Sequence, residues 1–201
     1  TSSSAMNSLS LHHTIVSEMW GTPSNLDDFL WKSYLVNYEA MRAMFEAFRA
    51  NRPQSTGLIQ WMLNSAWPSF YWQLYDFELI PTPAYFAVKK ALQPIQLVYN
   101  YGNRFVAITN ETLQNVSNAT AHIKQYSSDS KLIWEQKIPI KMEANSSKSL
   151  VQAPKFKGNA FLSLELLDAN GNRLADNFYW LSDETEVYDW EATNWVHTPM
   201  K

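Results

Sequence analysis

Along residues 24–50, SNLDDFLWKSYLVNYEAMRAMFEAFRA, the apolar positions Leu26, Leu30, Tyr34, Tyr38, Met41, Phe45 and Phe48 recur at steps of three and four. That period predicts a long helix with one broad apolar stripe. Ser24 or Asn25 supplies the N-cap, and Asp27 and Asp28 fall in the first turn, where the helix dipole favours acids. Asn51 and Pro53 end the run. A stripe this wide predicts docking on a sheet. GLIQWML (57–63) is a nearly continuous apolar run, the pattern of a strand buried on both faces. TPAYFAVKKALQPI (82–95) reads as a second helix, with Pro83 in its first turn and Pro94 at its end. Helix, buried strand, long loop and helix make an α/β unit with a parallel sheet, which two helices and one strand cannot close. The chain is therefore expected to be a piece of something longer.

From about Leu97 the period shortens to two. LVYNY, RFVAITN, ATAHIKQY, KLIWEQKIPI, KSLVQAP, AFLSLELLD and RLADNFYWL are short β-type runs separated by turn residues. Asp168-Ala-Asn-Gly-Asn joins the last two as a hairpin, with Gly171 free to take positive φ. This spacing predicts an antiparallel sandwich of immunoglobulin type. The tail SDETEVYDWEATNWVHTPMK is acidic and aromatic with little period, which suggests a linker or wrapping segment.

Composition narrows the function. The 201 residues are 46% hydrophobic and 17% charged, as in ordinary globular proteins. A net charge of -3 argues against nucleic acid as a partner. No apolar run approaches the ~18 residues of a membrane span, so none is expected. The opening TSSSAMNSLSLHH lacks the basic and apolar regions of a signal peptide. The absence of cysteine rules out disulfides and thiol chemistry without fixing the compartment. The sequons at Asn110, Asn115, Asn118 and Asn145 are what chance supplies in a segment rich in Asn, Ser and Thr.

Nine tryptophans are unusual, and they draw attention to STGLIQWMLNSAWPSFYWQLYDF (55–77). Rings interleaved with Asn, Ser, Gln and Asp form a surface on which flat, hydroxyl-rich sugars stack and hydrogen-bond. Asp76 is expected to accept backbone amides in its own loop. His12 and His13 point in different directions with no third ligand nearby, so an exposed or interdomain pair is expected and no metal. No cofactor is expected. Trp134, Trp180, Trp190 and Trp195 are expected in sandwich core and domain-interface contacts.

NLDDFLWKSYLVNYEAMRAMFEAF, the tryptophan-rich stretch, PAYFAVKKALQPIQLVYNY and DNFYWLSDETEVYDWEATNWVHTP together resemble the C-terminal half of glycoside hydrolase family 2. The likeness is to its exo-β-D-glucosaminidase and mannosylglycoprotein endo-β-mannosidase branch, and it covers nearly everything from Leu11 onward. The resemblance implies an α/β plus all-β fold, the C-terminal portion of a (β/α)8 barrel followed by an immunoglobulin-like sandwich. Residues 1–96 would end the barrel with GLIQWML as strand eight, 97–188 would be the sandwich, and 189–201 a linker. Barrel enzymes use the C-terminal ends of their strands. The resemblance therefore implies that Trp61, Asn64, Ser65, Trp67 and Trp72 border the sugar site. It also implies a cis peptide bond after Trp61.

The family's chemistry is retaining hydrolysis by two glutamates, roughly 5–5.5 Å apart. The resemblance puts both upstream of this chain, since Glu18, Glu39 and Glu46 fit neither motif. No catalytic residue is assigned, and the chain alone is expected to be inert. Its expected partners are a β-linked glycan containing glucosamine or mannose and the missing N-terminal part of the barrel, in the periplasm or outside the cell. Trp61 either stacks under the sugar or fills the barrel top; the resemblance favours the sugar. Asn64 either bonds substrate or caps its loop, and Trp67 and Trp72 either meet substrate or pack against neighbouring domains. The alternative from another class is a non-catalytic carbohydrate-binding module with an aromatic surface; a sandwich with a helical extension and no sugar role stands behind it.

Overall fold

Residues 9–68 and 73–183 are described by the structure, a computed structural model, and each β-type run of the sequence becomes a strand in it. These are β1 (Ile95–Tyr99), β2 (Phe105–Asn110), β3 (Val116–Ser127), β4 (Leu132–Met142), β5 (Ser146–Gln152), β6 (Asn159–Leu167) and β7 (Arg173–Ser182). They pair antiparallel in two sheets, ordered β1-β2-β5 and β4-β3-β6-β7. The expected immunoglobulin-like sandwich is present. Its core follows from the alternation: Ala119, Ala121 and Ile123 of β3 and Leu162, Leu164 and Leu166 of β6 face inward, against Leu97, Val106 and Ile108 of β1 and β2.

The β6–β7 hairpin turns where expected. Asp168 Oδ1 accepts the amides of Asn170 and Asn172, both at 2.8 Å, and Gly171 takes φ +83°. The side chain of Asn172, and then its amide and that of Asn170, hold the Asp168 carboxyl below its usual pKa. At the other side of the four-stranded sheet, β4 is an edge strand with Pro139 paired opposite Thr120 and with exposed Lys137 and Lys141 on either side.

Helices precede the strands: α1 (Leu9–Trp20), α2 (Leu26–Ala50) and α3 (Pro83–Ala91). α2 begins at its expected cap, with Asn25 Oδ1 accepting the Asp28 amide at 3.0 Å and the Asp28 carboxylate reaching back to the Ser24 amide at 2.8 Å. The apolar stripe is only partly the buried face. Met41, Phe45 and Val36 are buried, whereas Leu26, Tyr34 and Phe48 are exposed and Arg42, Glu46 and Arg49 are buried in their place. α3 is shorter than the predicted 82–95, because Pro94 releases the chain into β1.

GLIQWML does not form the predicted strand. Its Ile59 is 90% exposed and its Leu63 59% exposed. A strand needs a ladder of backbone bonds to a neighbour, and among the described residues no strand is formed over 57–63, where Leu63 O accepts the Tyr75 amide at 3.0 Å. Two compact units are distinguished: the described residues within Thr1–Arg42 and Gln60–Val88 form one, and those within Ala43–Ile59 and Lys89–Thr185 the other. Among the described residues, no helix is long and apolar enough to cross a membrane.

Candidate functional site

The aromatic stretch is held by short-range backbone bonds rather than by a sheet. The Tyr75 amide donates to Leu63 O at 3.0 Å, and the Thr82 amide donates to Leu74 O at 2.9 Å. Asn64 forms a parallel bridge to Tyr75, which forms an antiparallel one to Pro81. Asp76 fixes the turn between them: its Oδ1 accepts the amides of Glu78 and Ile80, each at 2.9 Å. Leu79 sits in the left-handed region at φ 63°. Asp76 therefore acts on its own loop, as expected. Behind it, the Tyr75 and Tyr85 rings meet at 5.2 Å, and desolvation, with Tyr85 adding to it, raises the pKa of the Tyr75 hydroxyl.

On this frame the sequence-chosen residues take different places. Trp61 and Trp67 turn outward, 73% and 68% exposed. The Trp61–Met62 peptide bond is cis. Asn64 is half-buried and donates from Nδ2 to Ser65 O at 3.1 Å, a bond within the loop. Ser65 is buried. Trp72 lies outside the described residues. Chemically, the loop carries two largely exposed indole rings and a carboxylate already engaged by amides, and its described residues supply no pair of carboxylates for bond cleavage.

The remaining singled-out residues divide likewise. His12 is half-buried rather than exposed, its Nε2 3.0 Å from Ser33 Oγ and its ring edge-on to Phe29. Burial, then the neighbouring His13, lowers the His12 pKa. Trp134 packs partly buried on the sandwich core. Trp180 does not: it is 58% exposed, because the inner face of β7 is taken by its neighbours Tyr179 and Leu181. Trp190 and Trp195 lie outside the described residues. What sequence reasoning missed is a buried polar cluster of Glu46, Asn177 and Tyr179. Its signal was slight: two polar side chains, two apart on β7, on the apolar face of the strand.

Comparison with known proteins adds what the fold alone does not say. Residues 102–183 match the family described as Mannosidase Ig/CBM-like domain. The chain is 34% identical over 90% of its length to an exo-β-D-glucosaminidase of Hypocrea virens, and 35% identical over its whole length to one of Amycolatopsis orientalis. It is 26% identical over 85% of its length to the mannosylglycoprotein endo-β-mannosidase of Lilium longiflorum. It spans 21%, 20% and 19% of those relatives. The solved structure of the exo-β-D-glucosaminidase CsxA superposes with a TM-score of 0.87 at 32% identity, covering 95% of this chain and 24% of that one. A β-D-mannosidase from Dictyoglomus thermophilum, at 21% identity and a TM-score of 0.67 over 86% of this chain and 22% of its own, shares the fold. The chain belongs to glycoside hydrolase family 2, in the branch of the exo-β-D-glucosaminidases and mannosylglycoprotein endo-β-mannosidases.

Proposed function

We propose that the protein is the C-terminal part of a retaining β-glycoside hydrolase of exo-β-D-glucosaminidase type, acting on glucosamine-containing β-glycans in the periplasm or outside the cell. In this reading residues 1–96 end a (β/α)8 barrel, 97–188 are the structural sandwich and 189–201 lead onward. Beside the preceding barrel strands, residues 57–63, which form no strand here, would take the place of strand eight, and Trp61, Asn64, Ser65, Trp67 and Trp72 border the sugar, with Trp61 stacking on its ring. The two catalytic glutamates are carried by preceding chain, so these 201 residues alone are inert.

The observation that carries this is the mismatch at GLIQWML: a run whose composition calls for burial on both faces has Ile59 90% exposed and Trp61 73% exposed. Neighbouring barrel strands are what such a run lacks. Likeness to exo-β-D-glucosaminidases along the whole chain supports the substrate class.

The test is Trp61→Ala in the full-length enzyme, assayed on p-nitrophenyl β-D-glucosaminide and β-D-mannoside. Loss of one stacking ring is expected to lower kcat/KM on the glucosaminide about 10- to 100-fold. An unchanged kcat/KM removes Trp61 from the site, and preferential cleavage of the mannoside overturns the substrate. Hydrolysis by the isolated 201-residue chain would refute the fragment reading itself.

A further inference from the structure

Two buried charges sit one turn apart on the last part of α2, Glu46 and Arg49. Each is met by the sandwich. Glu46 Oε2 accepts the Tyr179 hydroxyl at 2.7 Å, and Oε1 accepts Asn177 Nδ2 at 2.7 Å. The same Tyr179 oxygen accepts the Tyr99 amide at 3.0 Å, so one phenol joins helix, β7 and β1. Asn177 Nδ2 also faces Leu97 O at 3.1 Å. Arg49 donates to the carbonyl oxygens of Ala91 and Gln93 and to Glu111 Oε1, the last at 3.0 Å. Ser147 of β5 donates its hydroxyl to Ala50 O at 2.8 Å, satisfying a carbonyl that the helix end leaves open.

A carboxylate taken out of water costs several kcal/mol unless donors surround it. Here the donors come from strand β7, and they too are buried. If the helix end left, the Tyr179 hydroxyl would lose the carboxylate that accepts its proton and Asn177 Nδ2 would keep only Leu97 O and the Tyr179 oxygen, which ties the helix end to the strand corner. Residues 102–183, which match the sandwich family, contain neither Glu46 nor β1, yet both lie in the same compact unit as those strands.

We infer that Glu46 is a buried carboxylate latch, which makes the last turns of α2 a working part of the sandwich and seats β7 against β1. Releasing it opens that corner alone and leaves the β3–β6 centre closed.

Hydrogen exchange followed by mass spectrometry on the whole chain reads this directly, comparing Glu46→Ala with the parent. Amides of residues 43–50 and of Tyr99 are expected to lose roughly 10- to 100-fold of their protection. Those of 119–125 and 160–166 keep theirs. A uniform fall across all strands overturns the latch, because Glu46 would then be one contact among many in a single cooperative core. Unchanged exchange at 43–50 overturns it as well. Should Glu46→Ala fail to fold, Tyr179→Phe decides by the same criterion at residues 43–50, since it deletes one hydroxyl and keeps the ring in place.

Discussion

Gln125 offers a test of the sandwich core in which a substitution should add stability. It lies on β3 between Trp134 of β4 and Leu162 of β6, wholly buried on the face that also carries Ile123. Neither Nε2 nor Oε1 has a hydrogen-bond partner among the described residues. A primary amide buried in this way costs about 1–3 kcal/mol relative to the hydrated group. Methionine has nearly the same length and flexibility and no polar atom, so Gln125→Met removes that cost at little change in volume. The expected gain is about 1–2 kcal/mol in urea unfolding, or a Tm higher by roughly 2–6 °C for a chain of this size. Ile123→Ala calibrates the site, since a buried isoleucine two residues away should lose about 2–5 kcal/mol. If Gln125→Met instead destabilises by about 1 kcal/mol or more, the amide is satisfied, for example by an enclosed water, and the reasoning fails.

Two further expectations concern stability. Arg49→Met should cost about 2–3 kcal/mol in urea unfolding, because it strips a donor from the buried carbonyl oxygen of Ala91 and from the partly buried one of Gln93, and leaves Glu111 without its closer cation; an unchanged midpoint would refute the role. His12 makes the protein less stable in acid: burial holds its folded pKa below the ordinary histidine value of 6.5, so the unfolded chain takes up the proton first. Its contribution is complete above that value and lost as pH falls through the lower, folded pKa. Urea midpoints taken above and below it should diverge, and His12→Gln should narrow the difference; an equal difference in the variant would exclude His12.

Seven strands were legible because alternation is a local code: within β6, Ala160, Leu162, Leu164 and Leu166 declare the inner face whatever lies opposite. α1 was not foreseen. LSLHHTIVSEMW has no acid in its first turn and no base in its last, and it buries only Val16 among its residues. The buried charges of α2 escaped for another reason: a charge at a helical position reads as solvent-facing, and the partners of Glu46 stand 131 and 133 residues away in sequence. For the candidate site, the sequence located the loop and foresaw the role of Asp76. It read 57–63 as a strand, which these residues do not form among the described ones, since apolar content is local and strand pairing is not.

The edge position of β4 has a consequence for how this sandwich meets its neighbours. Pro139 removes one amide donor from the rim, and Lys137 and Lys141 beside it exact a desolvation cost from any strand laid alongside. Sheet-by-sheet extension is blocked on that flank. Adjoining modules, or crowded copies of the same chain, are left to engage that flank through loops and faces rather than by adding a strand.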